Sequence, residues 1–144
     1  MEMSLMGKVL VGAKIENLSD LLHVESGSLN PEQVRSIEVT DALVDSGATT
    51  LAMPKRLIDQ LGLRPLRRRR ALTTAGERDV QVYGTVRLTV QGRECHVDVS
   101  EIADKCPVLI GQVPLELLDF VIDPAGQRLI GNPAHGGEQM IELY

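Results

Sequence analysis

Apolar residues fall at every second position through Val80, Val82, Val86, Leu88 and Val90, the spacing of a strand with one buried face. A weaker alternation runs through GKVLVGAKIEN (7–17), and another through RECHVDVSEI after a turn at Gln91-Gly92. VRSIEVTDALVD (34–45) predicts two strand-like segments, the second ending at Asp45. RRRRALTTAGERDVQVYGTVRLTVQG predicts a hairpin that turns near Ala75-Gly76 and runs into a long strand, with Gly84 marking a bulge. CPVLIG reads as a short apolar strand stopped by Gly111, FVID as a strand, and PAGQRLI as a turn plus strand. The one clear helix is PKRLIDQLG (54–62), with Pro at its start, Gly62 at its end, and Leu57, Ile58 and Leu61 on one face. LSDLLHVESGSLNPEQ is a polar connection with room for a short helical piece, and PLELLD makes a helical turn. After Asn132 the pattern lapses, which predicts a loose tail over about 132–144. Many short strands with one or two short helices predict a mainly β, small closed-barrel-like fold. The whole chain, 1–144, reads as a single domain with its core over about 34–131.

Composition narrows the functions open to such a barrel. At 144 residues, 43% hydrophobic and 24% charged, the chain is long enough to bury most of its apolar surface. It has no Trp, one Phe and two Tyr, so a surface that stacks nucleobases lacks its material, and a net charge of −5 disfavours phosphate backbones. No nucleic-acid partner is expected. The run Arg67–Arg70 reads as a solvated strand edge blunted by charge. Cys95 and Cys106 are too few for a disulfide framework and form no zinc pattern, consistent with two reduced thiols. The amino terminus has no leader pattern, and no apolar run approaches the roughly 20 residues that span a bilayer. These features give the expectation of a cytoplasmic protein without a membrane partner. His23, His96 and His135 are scattered, and no phosphate-binding glycine loop or EF-hand spacing occurs. Neither a metal nor an organic cofactor is implied.

One short stretch carries chemistry. In ALVDSGATTLAMP (42–54), Asp45-Ser46-Gly47 interrupts an apolar run, placing a carboxylate in hydrophobic surroundings where a strand passes into a turn. A surface turn accounts for the tripeptide alone, but a carboxylate in apolar surroundings usually has a partner or a task. LVDSGA resembles the active-site loop of retropepsin-like aspartic proteases, the clan that includes retroviral enzymes: two apolar residues, Asp, Ser or Thr, Gly, Ala. Leu109-Ile110-Gly111, followed by a short helix, is similar to the clan's second mark, an apolar-apolar-Gly strand. The turn Thr74-Ala75-Gly76-Glu77 sits where the clan has a flap over its substrate cleft, with a single glycine where retroviral flaps are glycine-rich. Gln112 stands where retroviral enzymes usually have a polar or charged residue pairing across the dimer. The likeness covers about residues 34–123 and is closest to small bacterial members of the clan.

The resemblance implies a reaction in which two carboxylates share one proton. One deprotonates the attacking water and the other protonates the carbonyl oxygen; at a separation of about 3 Å they cannot both ionise. It further implies Ser46 hydrogen-bonding across a dimer and Ala48 lining the substrate channel. Gly47 would let an amide approach the carboxylate without a Cβ in the way. None of the other aspartates is followed by Ser or Thr and Gly, so a chain this short needs its second carboxylate from another copy. The expectation is a homodimeric aspartic endopeptidase acting on peptide or protein substrates, with Asp45 catalytic, Thr74–Glu77 as flap and Leu109–Gly111 as supporting strand. The alternative is a peptide-binding or oligomerisation module on the same fold with little or no proteolysis. A barrel in which Asp45 merely caps a turn is a third reading.

Overall fold

The structure, a computed structural model, describes residues 8–143. The expected absence of a leader rests in part on residues 1–7, which lie outside this range, as does Gly7 of the first predicted strand. Nine strands are present among the described residues: β1 (Val9–Asn17), β2 (Ser36–Val44), β3 (Leu51–Pro54), β4 (Arg64–Thr73), β5 (Gly76–Val90), β6 (Arg93–Ile102), β7 (Leu109–Ile110), β8 (Phe120–Asp123) and β9 (Arg128–Gly131). Three short helices join them, α1 (Leu18–Glu25), α2 (Lys55–Leu61) and α3 (Gln112–Leu118), where one or two were expected. None is long and apolar enough to cross a membrane.

Seven strands form one sheet in the order β1-β2-β7-β3-β6-β5-β4, and β1 also pairs with β5. That extra pairing closes six strands into a barrel and leaves β4 hanging from β5, so the expected mainly β closed barrel is what forms. β5 makes closure possible. Its first half pairs with β4, its second half, Val86–Thr89, pairs with Lys14–Asn17 of β1, and its register against β6 slips between Tyr83 and Val86. The predicted bulge therefore lies at Gly84-Thr85, where Thr85 Oγ1 donates to Asp98 Oδ1 at 2.9 Å.

Alternation sets the core. Val9, Val11, Ala13 and Ile15 of β1 point inward against Val86, Leu88 and Val90 of β5 and Val97 and Val99 of β6. Leu51, Met53, Ile58, Leu61, Ile110 and Leu118, all fully buried, fill the barrel from the other side. Each such side chain contributes about 1.5–3 kcal/mol on leaving water. The core therefore begins at Val9, not near residue 34, because β1 is the strand that closes the ring. The stretch 34–45 holds one strand, β2, not two. An extra residue at Thr40-Asp41 bulges opposite Gly12 and breaks the alternation there.

The helices are capped as their sequences dictate. Asn17 Oδ1 accepts the Asp20 amide at 3.0 Å and opens α1, while its Nδ2 donates to Leu61 O at 2.8 Å and ties α1 to the end of α2. Gly62 closes α2 at φ 62°, a left-handed turn that favours glycine. Arg35 makes a two-pronged contact with the buried Asp20, at 2.9 Å on each oxygen, and holds its carboxyl below the usual range.

The segment after Asn132, expected to be loose, is held to the body. It makes a 3-10 turn over Pro133–His135. The buried Asp119 then accepts His135 Nδ1 at 2.7 Å, Asn132 Nδ2 at 3.2 Å and the Met140 amide at 3.0 Å. Arg93 adds bonds to the carbonyls of Leu118, Asp119 and Gly137 and stacks over Phe120. Periodicity is blind to such anchoring, because it runs through scattered polar side chains.

Candidate active site

Asp45 stands immediately after β2, and its position is set by a parallel pairing. Leu43 and Val44 lie beside Leu109 and Ile110 of β7, which runs antiparallel to β3 on its other side. The Asp45 amide donates to Ile110 O at 3.0 Å, so the strand ladder continues into the loop. The loop then doubles back: Ala48 N–H bonds Asp45 O at 3.0 Å, and Gln112 and Val113 N–H bond the Ala48 and Thr49 carbonyls at 2.8 and 2.9 Å. The first amides of α3 thus hold the Asp45 loop, satisfying donors that a helix start leaves free.

Gly111 is the pivot of this arrangement. Its amide donates to Thr50 O at 3.0 Å. A Cβ at this position would lie 2.5 Å from Thr50 O, 2.7 Å from Ala48 O and 2.7 Å from Thr50 N. These are backbone atoms with nowhere to go, so the apolar-apolar-Gly pattern has a steric cause. Gly47 follows the same logic more gently. Its amide donates to Asp45 Oδ1 at 2.9 Å, and a Cβ there would sit 3.2 Å from that same oxygen. Asp45 Oδ1 is thereby fixed, while Oδ2 accepts no hydrogen bond among the described residues.

The carboxylate is half-buried rather than enclosed, and Ser46 and Gly47 are exposed. The apolar surroundings read from the sequence belong to Ala42, Val44 and Leu51, which pack in the barrel core, and to Leu43, which is buried at the cleft; the loop between them faces outward. Asp45 lines a cleft of about 940 Å³ between the barrel wall and the β4–β5 hairpin, with Leu43 and Leu109 beside it. The hairpin contributes Arg68, Thr73, Thr74 and Arg78 to the lining of the cleft.

Two details of the expected flap change. The turn is Thr74-Ala75, and Gly76 and Glu77 already pair with Thr73 and Leu72 as part of β5. Of the four residues expected to cover the cleft, Thr74 alone lines it. The turn is closed by Thr73 Oγ1, which accepts the Ala75 amide at 3.1 Å and donates to Gly76 O at 2.8 Å, and by the Arg70–Glu77 ion pair at 2.5 Å. Ala48 does not line the cleft of a single chain; its backbone serves the loop. The arginine run is an exposed edge, with Arg67 on Asp98 and Arg68 on Gln81.

The far wall was not singled out from the sequence. It contains Tyr83, Glu101 and the loop Ala103–Pro107 with its half-buried Cys106. Tyr83 donates to Glu101 Oε1 at 2.8 Å, and burial, with the Glu101 carboxylate, pushes its phenol above the usual range. The other thiol, Cys95, is pushed up to about 11 by burial, which disfavours the reactive thiolate. Among the described residues, no cluster of three or more His, Cys, Asp or Glu is placed to hold a metal ion.

Residues 33–117 match the family described as "gag-polyprotein putative aspartyl protease", a stretch that contains Asp45, the hairpin, the far wall, Gly111 and the start of α3. No curated protein matches the chain. Among solved structures, it is similar to the solution structure of Simian Foamy Virus (mac) protease, at 22% identity and a TM-score of 0.46 over 76% of this chain and 93% of that one. The resemblance read from LVDSGA and LIG is thus borne out by a match over more than half of the sequence, and the chain belongs to the gag-polyprotein aspartyl protease family.

Proposed function

We propose that this chain is an aspartic endopeptidase whose active site forms where two copies bring their Asp45 carboxylates together. The observation that carries the reading is the Asp45 carboxylate, pinned through Oδ1 by Gly47 at a strand end, in a cleft lined on another side by the β4–β5 hairpin. A single carboxylate cannot be base toward water and acid toward a carbonyl at once. A pair sharing one proton does both: the ionised member takes a proton from water, and the protonated member gives one to the peptide oxygen. The outward-facing Ser46-Gly47 loop leaves room for a symmetric neighbour to supply the second carboxylate. The peptide lies extended in the cleft beneath the hairpin, walled by Leu43 and Leu109.

The reading of the fold as a peptide-binding module without proteolysis draws support from the flap turn, which is cross-bonded through Thr73 and has one glycine. A stiff roof favours holding a peptide over admitting and releasing one. Asp45→Asn separates the two. It keeps shape and removes the proton chemistry, so an endopeptidase loses at least about a thousandfold in peptide hydrolysis. Hydrolysis at an undiminished rate in the purified variant would refute the carboxylate mechanism, and no hydrolysis by the wild-type chain across a peptide library would favour the binding module. A proton-sharing pair also gives a bell-shaped rate profile with its optimum on the acid side of neutral.

A further inference from the structure

Glu101 is placed in the cleft as a fixed charge without a cation at contact distance among the described residues; Lys55, paired with Asp59, attracts it at longer range. It is half-buried at the end of β6, beside Met53 of β3, and shares the cleft with Asp45. The Tyr83 hydroxyl, on a side chain only 7% exposed, donates to its Oε1 at 2.8 Å. The raised range of that phenol keeps its proton on, so Tyr83 remains a donor and holds the carboxylate in one orientation. Oε2 accepts no hydrogen bond among the described residues, and no described cation lies within 4.0 Å of Glu101. Lys55, which sits 5.9 Å above the Tyr83 ring, is held by Asp59 at 2.5 Å. Val80, Ile102 and Leu109 add apolar surface to the same cleft.

A cleft that offers apolar side chains beside an oriented carboxylate suits Lys and Arg, whose stems are hydrocarbon and whose tips are cations. We propose that Tyr83 and Glu101 form a cation-selecting subsite, so that peptides seat a Lys or Arg there at one fixed position relative to the bond that Asp45 addresses. The proposal rests on the endopeptidase reading for its substrate class. Other charges line the same cleft: Arg68, Arg78, Asp79 and Lys105. All four are exposed, on the hairpin or on a surface loop, where water screens them and side-chain freedom weakens their selectivity. Glu101 alone among the charges of the far wall is held by a buried donor. Tyr83 is a positioning residue; Glu101 touches the substrate.

Binding is measured with proteolysis disabled, on the full-length Asp45→Asn chain. The probes are fluorescein-labelled decapeptides of one apolar frame, with Lys, Arg, norleucine or Glu placed at each position in turn, read by fluorescence anisotropy. At one position, Lys or Arg binds about tenfold tighter than norleucine, the strength of a charged hydrogen bond in a half-buried site. That ratio falls to about one when Glu101→Gln is added and by about threefold with Tyr83→Phe, while thermal melts report that each variant is folded. The absence of any cation-preferring position, or a preference that survives Glu101→Gln, overturns the subsite. Cleavage of the same peptides by the wild-type chain is scored separately. Its absence removes the endopeptidase reading, and the binding ratios still decide the role of Glu101.

Discussion

Replacing Gly111 by Ala adds one methyl group where three backbone atoms already stand. The new Cβ lies 2.5 Å from Thr50 O, and ordinary contact begins at 3.4 Å, so the 48–50 loop and β7 must part by about 0.9 Å (3.4 − 2.5). Two further contacts at 2.7 Å, to Ala48 O and Thr50 N, block a sideways escape. The separation stretches the 3.0 Å bond from Gly111 N–H to Thr50 O and the 2.8 Å bond from Gln112 N–H to Ala48 O. Overpacking of this kind costs about 1–3 kcal/mol, and weakened bonds bring the total toward the upper end. For a chain of this size that is a fall of roughly 3–12 °C in melting temperature. The Asp45 loop moves with the strain, and a shift of about 1 Å in a reacting group lowers a rate on the order of a hundredfold. Circular-dichroism melts and hydrolysis of a quenched fluorogenic peptide read the two effects side by side. A variant that melts within about 1 °C of wild type and cleaves normally would show that the loop does not approach Gly111 as described.

Asn17→Ala removes both the acceptor for the Asp20 amide and the donor to Leu61 O from a site 4% exposed, leaving two buried groups unpaired. Urea titration should find a loss of about 2–4 kcal/mol, with Asn17→Ser recovering the helix cap alone; a loss under about 0.5 kcal/mol would contradict the bridge between α1 and α2. The His135 imidazole is raised above its ordinary range, chiefly by its bond to Asp119 and then by Glu142. Asp119 is held below its range, chiefly by His135. Because the folded His value is the higher one, its hold on the tail is complete below about pH 6.5 and fades as pH rises through the raised value. The Asp119 share is present above about pH 3.9 and fades as pH falls through the lowered value. The hydrogen-exchange protection factor of the Met140 amide, bonded to Asp119 at 3.0 Å, should therefore fall from pH 6 toward pH 9 in wild type and stay flat in His135→Ala. A flat wild-type profile would sink the latch.

What could be read from the chain follows from how far each signal reaches. Pro54 and Gly62 around α2, Gln91-Gly92 between β5 and β6, and the alternating valines of β5 are local chemistry, and each forms where its residues direct. Asp45, Gly47 and Gly111 are legible because steric and hydrogen-bonding demands leave little choice of residue there. The role of β1 is not local. Its alternation marks a strand, but only pairing with residues some seventy positions away shows that it closes the barrel. The parallel meeting of β2 and β7, which sets Asp45 beside Ile110, is invisible for the same reason. Glu101 and Tyr83 lie on strands whose alternation says which face a residue takes, not what stands opposite. The Asp119–His135 contact joins a helix end to a stretch without periodicity, where no pattern could announce it.

The central claim is that one active site draws Asp45 from two copies, and subunit mixing tests it most directly. A fixed amount of wild type is combined with Asp45→Asn chain at concentrations where both are dimeric, and exchange is verified with a size or fluorescence tag. Random pairing puts half of the wild-type chains into mixed, dead dimers at equal amounts, so activity falls to about half, and to about a quarter at threefold excess of variant. Activity that stays at its starting value at every ratio after verified exchange would contradict a shared site.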